Sequence, residues 1–275
     1  VVPVGPLVGL LRATHPLPAA AVTLLVGALA AVKGVPPGTL AWIVASTAAG
    51  QASVGWSNDF LDRERDAAAG RTEKPLVVGL VSPRGTLGAA IAAFALSAAL
   101  SLPVGLPEVG VMFAGVGSAW AYNLWLKATV MSWLPYALSF GLVPVYVWSA
   151  AGDTAPAWLV AGGALLGVAA HLVNVLPDLE ADRVGSIRGV PHRLGPRATL
   201  ALACVFLASV PVLALAFGGP MTVARAGAAG LVGGLVAGVA WAGARGRYRL
   251  AFLVAIAAAG SIVLLLALGR DALRA

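Results

Sequence analysis

Long apolar runs, cut only by short polar or Pro/Gly breaks, make up most of this chain. Nine stand out, near residues 17–34, 38–60, 84–102, 107–126, 131–150, 157–177, 197–217, 221–243 and 249–268. They approach or exceed the roughly 18 to 20 apolar residues that cross hydrocarbon as a helix, and the ten-residue alternation of a membrane barrel is not seen. The pattern predicts an all-α integral membrane protein with nine transmembrane helices. Every break is short, so residues 1–275 read as a single transmembrane domain. Gly and Ala are abundant inside the runs, which suits close helix packing in lipid.

Composition agrees with the pattern. Hydrophobic residues make up 60% of the chain and charged residues 11%, against roughly 25% charged in soluble domains; the mean hydropathy is +0.92. The net charge of +7 does not point to nucleic acid, because the basic residues cluster between apolar runs, where they act as topology signals. With the amino terminus inside, fourteen of the eighteen Lys and Arg fall on one side, leaving Lys33, Arg225, Arg270 and Arg274 opposite. The positive-inside rule then places those loops in the cytosol, and the expected location is a bacterial cytoplasmic membrane. Eight of the eleven acidic residues lie on the same side, although acids contribute little to orientation. The opening VVPVGPLVGLLRATHP lacks the features of a cleavable signal peptide. Cys204 is the only cysteine, which excludes an intrachain disulfide and argues against a cysteine metal site. GxxxxGK, HExxH and GxSxG are absent, so nucleotide, zinc and serine hydrolysis lack their signatures.

The misplaced acids form two stretches. In NDFLDRERD, Asn58, Asp62 and Asp66 fall at about 0°, 40° and 80° around a helix, and Asp59 at about 100°. All four share one face, while Arg63, Glu64 and Arg65 are expected to point away into solvent. In HLVNVLPDLEADR, Asn174, Asp178 and Asp182 repeat the Asn-x3-Asp-x3-Asp spacing 116 residues later, at the equivalent end of another even-numbered run. Carboxylates stacked at a membrane boundary repel one another and resist desolvation unless a cation sits among them. Oxygen-only ligands select hard metals, and Mg2+ takes one or two carboxylates while keeping positions for water and phosphate. The plainer reading is an amphipathic helix end with surface ion pairs worth about 0 to 1 kcal/mol. Two copies with the Asn included favour one shared metal–diphosphate site. Pro177, directly before Asp178, should disturb the helix that carries the second stretch.

Here the chain resembles the UbiA superfamily of membrane prenyltransferases. NDFLDRERD is similar to that family's NDxxDxxxD motif and the second stretch to its DxxxD motif; KPLVVGLVS and RGVPHRLG resemble the continuations that follow them. The resemblance implies nine helices surrounding a central cavity. It also implies Mg2+ held by Asn58, Asp59, Asp62, Asp66, Asn174, Asp178 and Asp182, with Asp62, Asp66, Asp178 and Asp182 catalytic. The donor it implies is an isoprenoid diphosphate, contacted by basic loop residues, and its prenyl group passes through an allylic carbocation to a lipophilic, often aromatic, acceptor.

Lys127 resembles the family's diphosphate-binding lysine, though a lysine at a helix end also serves as a topology anchor. Lys74 stands where the family usually has Arg, a point charge in place of a bidentate fork. Among the loop cations Arg71, Arg188, His192 and Arg193, Arg71 and Arg188 are the expected phosphate partners. Gln51, Tyr122, Asn123 and His171 are candidates for the acceptor pocket or cavity wall, each with a duller alternative as an interfacial or interhelical polar group. A terpene cyclase that uses the same ionisation without an acceptor, and a membrane cation transporter, are the competing functions.

Overall fold

The computed structural model describes residues 5–179 and 188–274, all of whose regular elements are helical. A short α1 (Pro6–Ala13) precedes α2 (Pro16–Lys33), α3 (Pro37–Ala68), α4 (Pro83–Ser101), α5 (Leu106–Leu124), α6 (Leu134–Ala150), α7 (Ala157–Val175), α8 (Val190–Phe217), α9 (Val223–Ala244) and α10 (Tyr248–Ala267); α11 (Arg270–Arg274) closes the chain. Helices α2 to α10 coincide with the nine apolar runs. Six are long and apolar enough to cross a membrane by length and composition: α2, α4, α7 with its extension to Asp178, α8, α9 and α10. The shorter α6 is also apolar. The first acidic stretch, at its end, dilutes the hydropathy of α3.

Sequential helices pack side by side, and α2 meets α10, so the bundle closes on itself. At 32 residues, α3 is about 48 Å long and outruns a hydrocarbon core of about 30 Å. Its last turns therefore stand at the membrane boundary, on the end of the bundle where α1 meets α2 and α3 meets α4. We call this end the mouth. As Pro177 predicts, α7 gives way to a 3-10 turn over Leu176–Asp178. Gly195, at φ 75°, and Pro196 interrupt α8.

Two contacts set the width of the bundle. A Cβ at Gly163 would lie 2.5 Å from the Phe140 carbonyl oxygen, and one at Gly167 closer still to that of Tyr136. Glycine at both places lets α6 rest directly on α7.

Charge is also buried at the end opposite the mouth. Lys33 Nζ donates to Asp153 Oδ2 at 2.7 Å and to the Leu273 carbonyl at 2.9 Å, 5.3 Å from the Trp148 ring centroid. Arg225, 1% exposed, donates to the carbonyls of Ala214 at 2.5 Å, Pro220 at 2.8 Å and Gly219. These carbonyls belong to the last turn of α8 and the loop after it; that of Ala214 also accepts from the Gly218 N–H at 2.9 Å, so the guanidinium adds a second donor there and serves the two loop carbonyls beside it.

Candidate active site

The last turns of α3 do not present one uniform acidic face. Asn58 and Asp62 line a central cavity of about 690 Å³, whereas Asp59 and Asp66 are not among its lining residues. Asp62 pairs with Lys127 Nζ, and its Oδ2 with Arg65 at 2.5 Å. Asp59 is turned toward His15 Nε2 at 2.8 Å and Lys74 Nζ at 2.6 Å. Asp66 takes Arg71 at 3.2 Å and lies 4.0 Å from Lys74 Nζ. A cavity wall subtends only part of a helix circumference, so residues about 100° apart serve different surroundings. Arg65 corrects the sequence expectation: it lines the cavity, while Arg63 and Glu64 do pair with each other at 2.7 Å near solvent.

Arg71 joins the two acidic stretches. Its guanidinium donates from Nη1 to Asp66 Oδ1 and from Nη2 to Asp178 Oδ1, both at 3.2 Å. A planar fork suits this double contact better than a point charge. Asp66 lies past the end of the apolar run of α3, where burial pushes its carboxyl up; Lys74 and Arg71 oppose the rise, and Asp62 and Asp59 add to it.

The second stretch contributes Asn174 and Asp178 to the cavity wall; Asp182 lies outside the described residues. Asn174 donates to the Tyr136 hydroxyl at 3.4 Å. Tyr136, Tyr122 and His171 form an aromatic wall with centroid separations of 4.9 to 5.6 Å. His171 is buried, with Nε2 3.1 Å from Ser132 Oγ. Lys74, Lys127, Gln51, Tyr122, Asn123 and His192 all line the cavity. Arg188 is exposed and not among the lining residues; its carbonyl accepts from Arg193 Nε.

Sequence reasoning passed over three residues. His15 lines the cavity and touches both Asp59 and Lys74. It adopts φ 54°, a left-handed conformation costly for a non-glycine residue. Close packing of the α1–α2 turn fixes it there, since a Cβ on Gly55 would meet the Thr14 backbone. Tyr136 has no charge or motif to mark it. Arg65 sits among charges that spacing assigned to solvent. Only a single His before a Pro-rich helix start hinted at the first.

The donor set is made of carboxylate and amide oxygens, which suits a hard divalent ion. No three His, Cys, Asp or Glu already converge on one point among the described residues. The fit is therefore to an ion sharing its ligands with phosphate and water, as Mg2+ does. The remaining cavity is apolar, lined by Val22, Leu25, Val143, Leu166, Phe252 and Val263 among others.

Comparison with known proteins gives a consistent result. Residues 20–256 match the family model described as the UbiA prenyltransferase family. The digeranylgeranylglyceryl phosphate synthase of Natronomonas pharaonis is 29% identical over 209 residues, 73% of this chain and 73% of that protein. The bacteriochlorophyll synthase 33 kDa chain of Cereibacter sphaeroides is 31% identical over 169 residues, 58% of this chain and 55% of its own length. A UbiA homolog from Archaeoglobus fulgidus, solved bound to GPP and Mg2+, shares the fold at 18% identity with a TM-score of 0.69, covering 97% of this chain and 99% of that one.

Proposed function

Because the chain belongs to the UbiA prenyltransferase family, we propose that it is a Mg2+-dependent intramembrane prenyltransferase moving the prenyl group of an isoprenoid diphosphate to a lipophilic acceptor. The observation that carries this reading is the Arg71 bridge, which ties both acidic stretches together at the mouth of a deep apolar cavity. The nine long helices would span the membrane, with the mouth on the cytosolic side. Leu24 of α2 and Gly260 of α10 are both exposed and on the cavity wall; the seam between these helices is the proposed route for lipid substrates.

Asn58, Asp62, Asp66, Asn174, Asp178 and Asp182 would hold Mg2+, with Asp59 steadying Lys74 behind them. When bound, the ion neutralises charge on the leaving diphosphate as a Lewis acid. Lys127, Arg65 and Arg71 sit on the carboxylates of Asp62, Asp66 and Asp178; with those carboxylates engaged by metal, they would turn to phosphate oxygens, while Lys74 stays anchored on Asp59. The C–O bond of the donor breaks and an allylic cation forms below the diphosphate. The apolar walls keep water from quenching it, and Tyr122 and Tyr136 offer ring faces to positive charge. An electron-rich acceptor, proposed to be aromatic from the wall beside it, captures the cation and gives up a proton.

The test is incubation of purified protein with GPP, Mg2+ and two acceptors in parallel, a lipophilic phenol and an isoprenoid glyceryl phosphate. A prenylated product that requires Mg2+ is the expected outcome. A cyclic hydrocarbon formed without acceptor would establish the cyclase instead, and metal flux across liposomes without diphosphate release would establish the transporter.

A further inference from the structure

We infer that Asn123 is a positioning residue whose side chain holds the Asn58 amide with its oxygen facing the cavity, as a ligand for the divalent ion. The inference rests on the function proposed above. It follows from groups that can play only one hydrogen-bonding part. The Val54 carbonyl can only accept, and Asn123 Nδ2 lies 3.0 Å from it and 2.9 Å from Ser57 Oγ. Ser57 Oγ in turn donates to the same carbonyl at 2.9 Å, so it receives from Asn123. Both Asn123 N–H groups are thus committed, and its Oδ1 must face the other way.

That oxygen accepts from Asn58 Nδ2 at 3.2 Å, and Asp62 Oδ2 accepts from the same nitrogen at 3.3 Å. An amide carries two N–H donors, so Asn58 has both in use. Rotating it by 180° would set its oxygen against the oxygens of Asn123 and Asp62. Among the described residues no donor reaches Asn58 Oδ1, on a residue that lines the cavity beside Asp62. Asn123 is 3% exposed and Ser57 fully buried, so the register of this chain is protected from solvent. It runs from the α3 backbone through α5 and back to α3, and no sequence spacing encodes it.

The experiment measures binding of Mn2+, an EPR-visible ion of the same ligand preference, to purified protein in the presence of GPP. Asn123→Leu removes the acceptor for Asn58 and should weaken Mn2+ binding about tenfold or more, the usual effect of losing a partner behind a ligand. In an Asn58→Asp background either carboxylate oxygen can face the ion, so adding Asn123→Leu should then change Mn2+ affinity by less than about twofold. Asn123→Ala removes the same acceptor with a smaller side chain and should weaken Mn2+ binding to a similar extent.

Unchanged Mn2+ affinity in Asn123→Leu overturns the inference. So does an equal loss in the Asn58→Asp background, which would mark a purely structural role. Should Asn123→Leu not fold, unchanged Mn2+ affinity in folded Asn123→Ala overturns it instead. If the parent prenylates an acceptor and binds Mn2+ while the Asn123 variants bind it equally well, only this inference fails; a parent that binds no Mn2+ with GPP present removes the proposed function as well.

Discussion

Charge is buried at both ends of the bundle, and the two ends use it differently. Opposite the mouth, Arg225 and Lys33 are held largely by backbone carbonyls, which cannot move away without unwinding a helix end. At the mouth, Lys127, Arg65, Arg71 and Lys74 are held by side-chain carboxylates, each of which has another possible partner. The first arrangement closes a structure; the second can be exchanged for ligand. Burial of a charged residue therefore does not by itself mark function. What marks it here is that the partners are side chains around an open space.

This contrast predicts that mouth substitutions cost turnover and far-end substitutions cost stability. The largest effect should come from Asp62→Ala or Asp178→Ala, with turnover falling about 10²- to 10³-fold, or about 3 to 4 kcal/mol of transition-state stabilisation. Their thermal unfolding should stay near the parent's; an equal fall in unfolding temperature would erase the distinction. Next, Arg225→Leu removes the guanidinium donor from the Gly219 and Pro220 carbonyls and leaves Ala214 only its backbone partner, and should destabilise by roughly 2 to 3 kcal/mol. Product formed per folded molecule should not change, and a turnover defect without destabilisation would break the comparison from the other side.

Arg71→Lys keeps the charge but loses the fork that spans Asp66 and Asp178, so turnover should fall about tenfold, near 1.4 kcal/mol. Phe140→Ala probes depth. Phe140, Val143 and Leu166 separate the main cavity from a small apolar one of about 50 Å³. Opening that wall should raise kcat/KM for a donor one isoprene unit longer relative to GPP by about fivefold, within the range for filling apolar space.

The smallest effect concerns Asp153. Its hydrogen bond from Lys33 holds its carboxyl below the ordinary 3.8, helped by the Thr154 backbone N–H. A depressed carboxylate contributes stability above its unfolded pKa and loses it as pH falls through the folded one. Melting temperature should therefore decline slightly below about pH 4 in the parent and less in Asp153→Asn.

Much of this fold could be read in advance. Helices α2 to α10 follow the apolar runs because a membrane-sized hydrophobic stretch admits few other structures. The Asn-x3-Asp spacing identified Asn58, Asp62, Asn174 and Asp178, all of which reach the cavity wall. Azimuth was not legible. Spacing says which residues share a helix face but not how the helix is rotated in the bundle, so Asp59 and Arg65 were assigned to the wrong neighbours. Contacts such as Arg71 to Asp178, 107 residues apart, depend on how loops fold over the mouth, and no local pattern encodes that. Tyr136 was invisible for the same reason: only packing of α6 on α7 brings it to His171.

The seam between α6 and α7 limits how such an enzyme can be retuned. With Gly163 and Gly167 bearing directly on carbonyl oxygens of α6, that wall has no atom to spare in either direction. Accommodating a bulkier guest must therefore come from side-chain volume and not from helix spacing: from Phe140 on α6, or from Ala19, Ala21, Ala255 and Ala259 of α2 and α10, whose small side chains line the cavity and can be exchanged without disturbing the glycine contact.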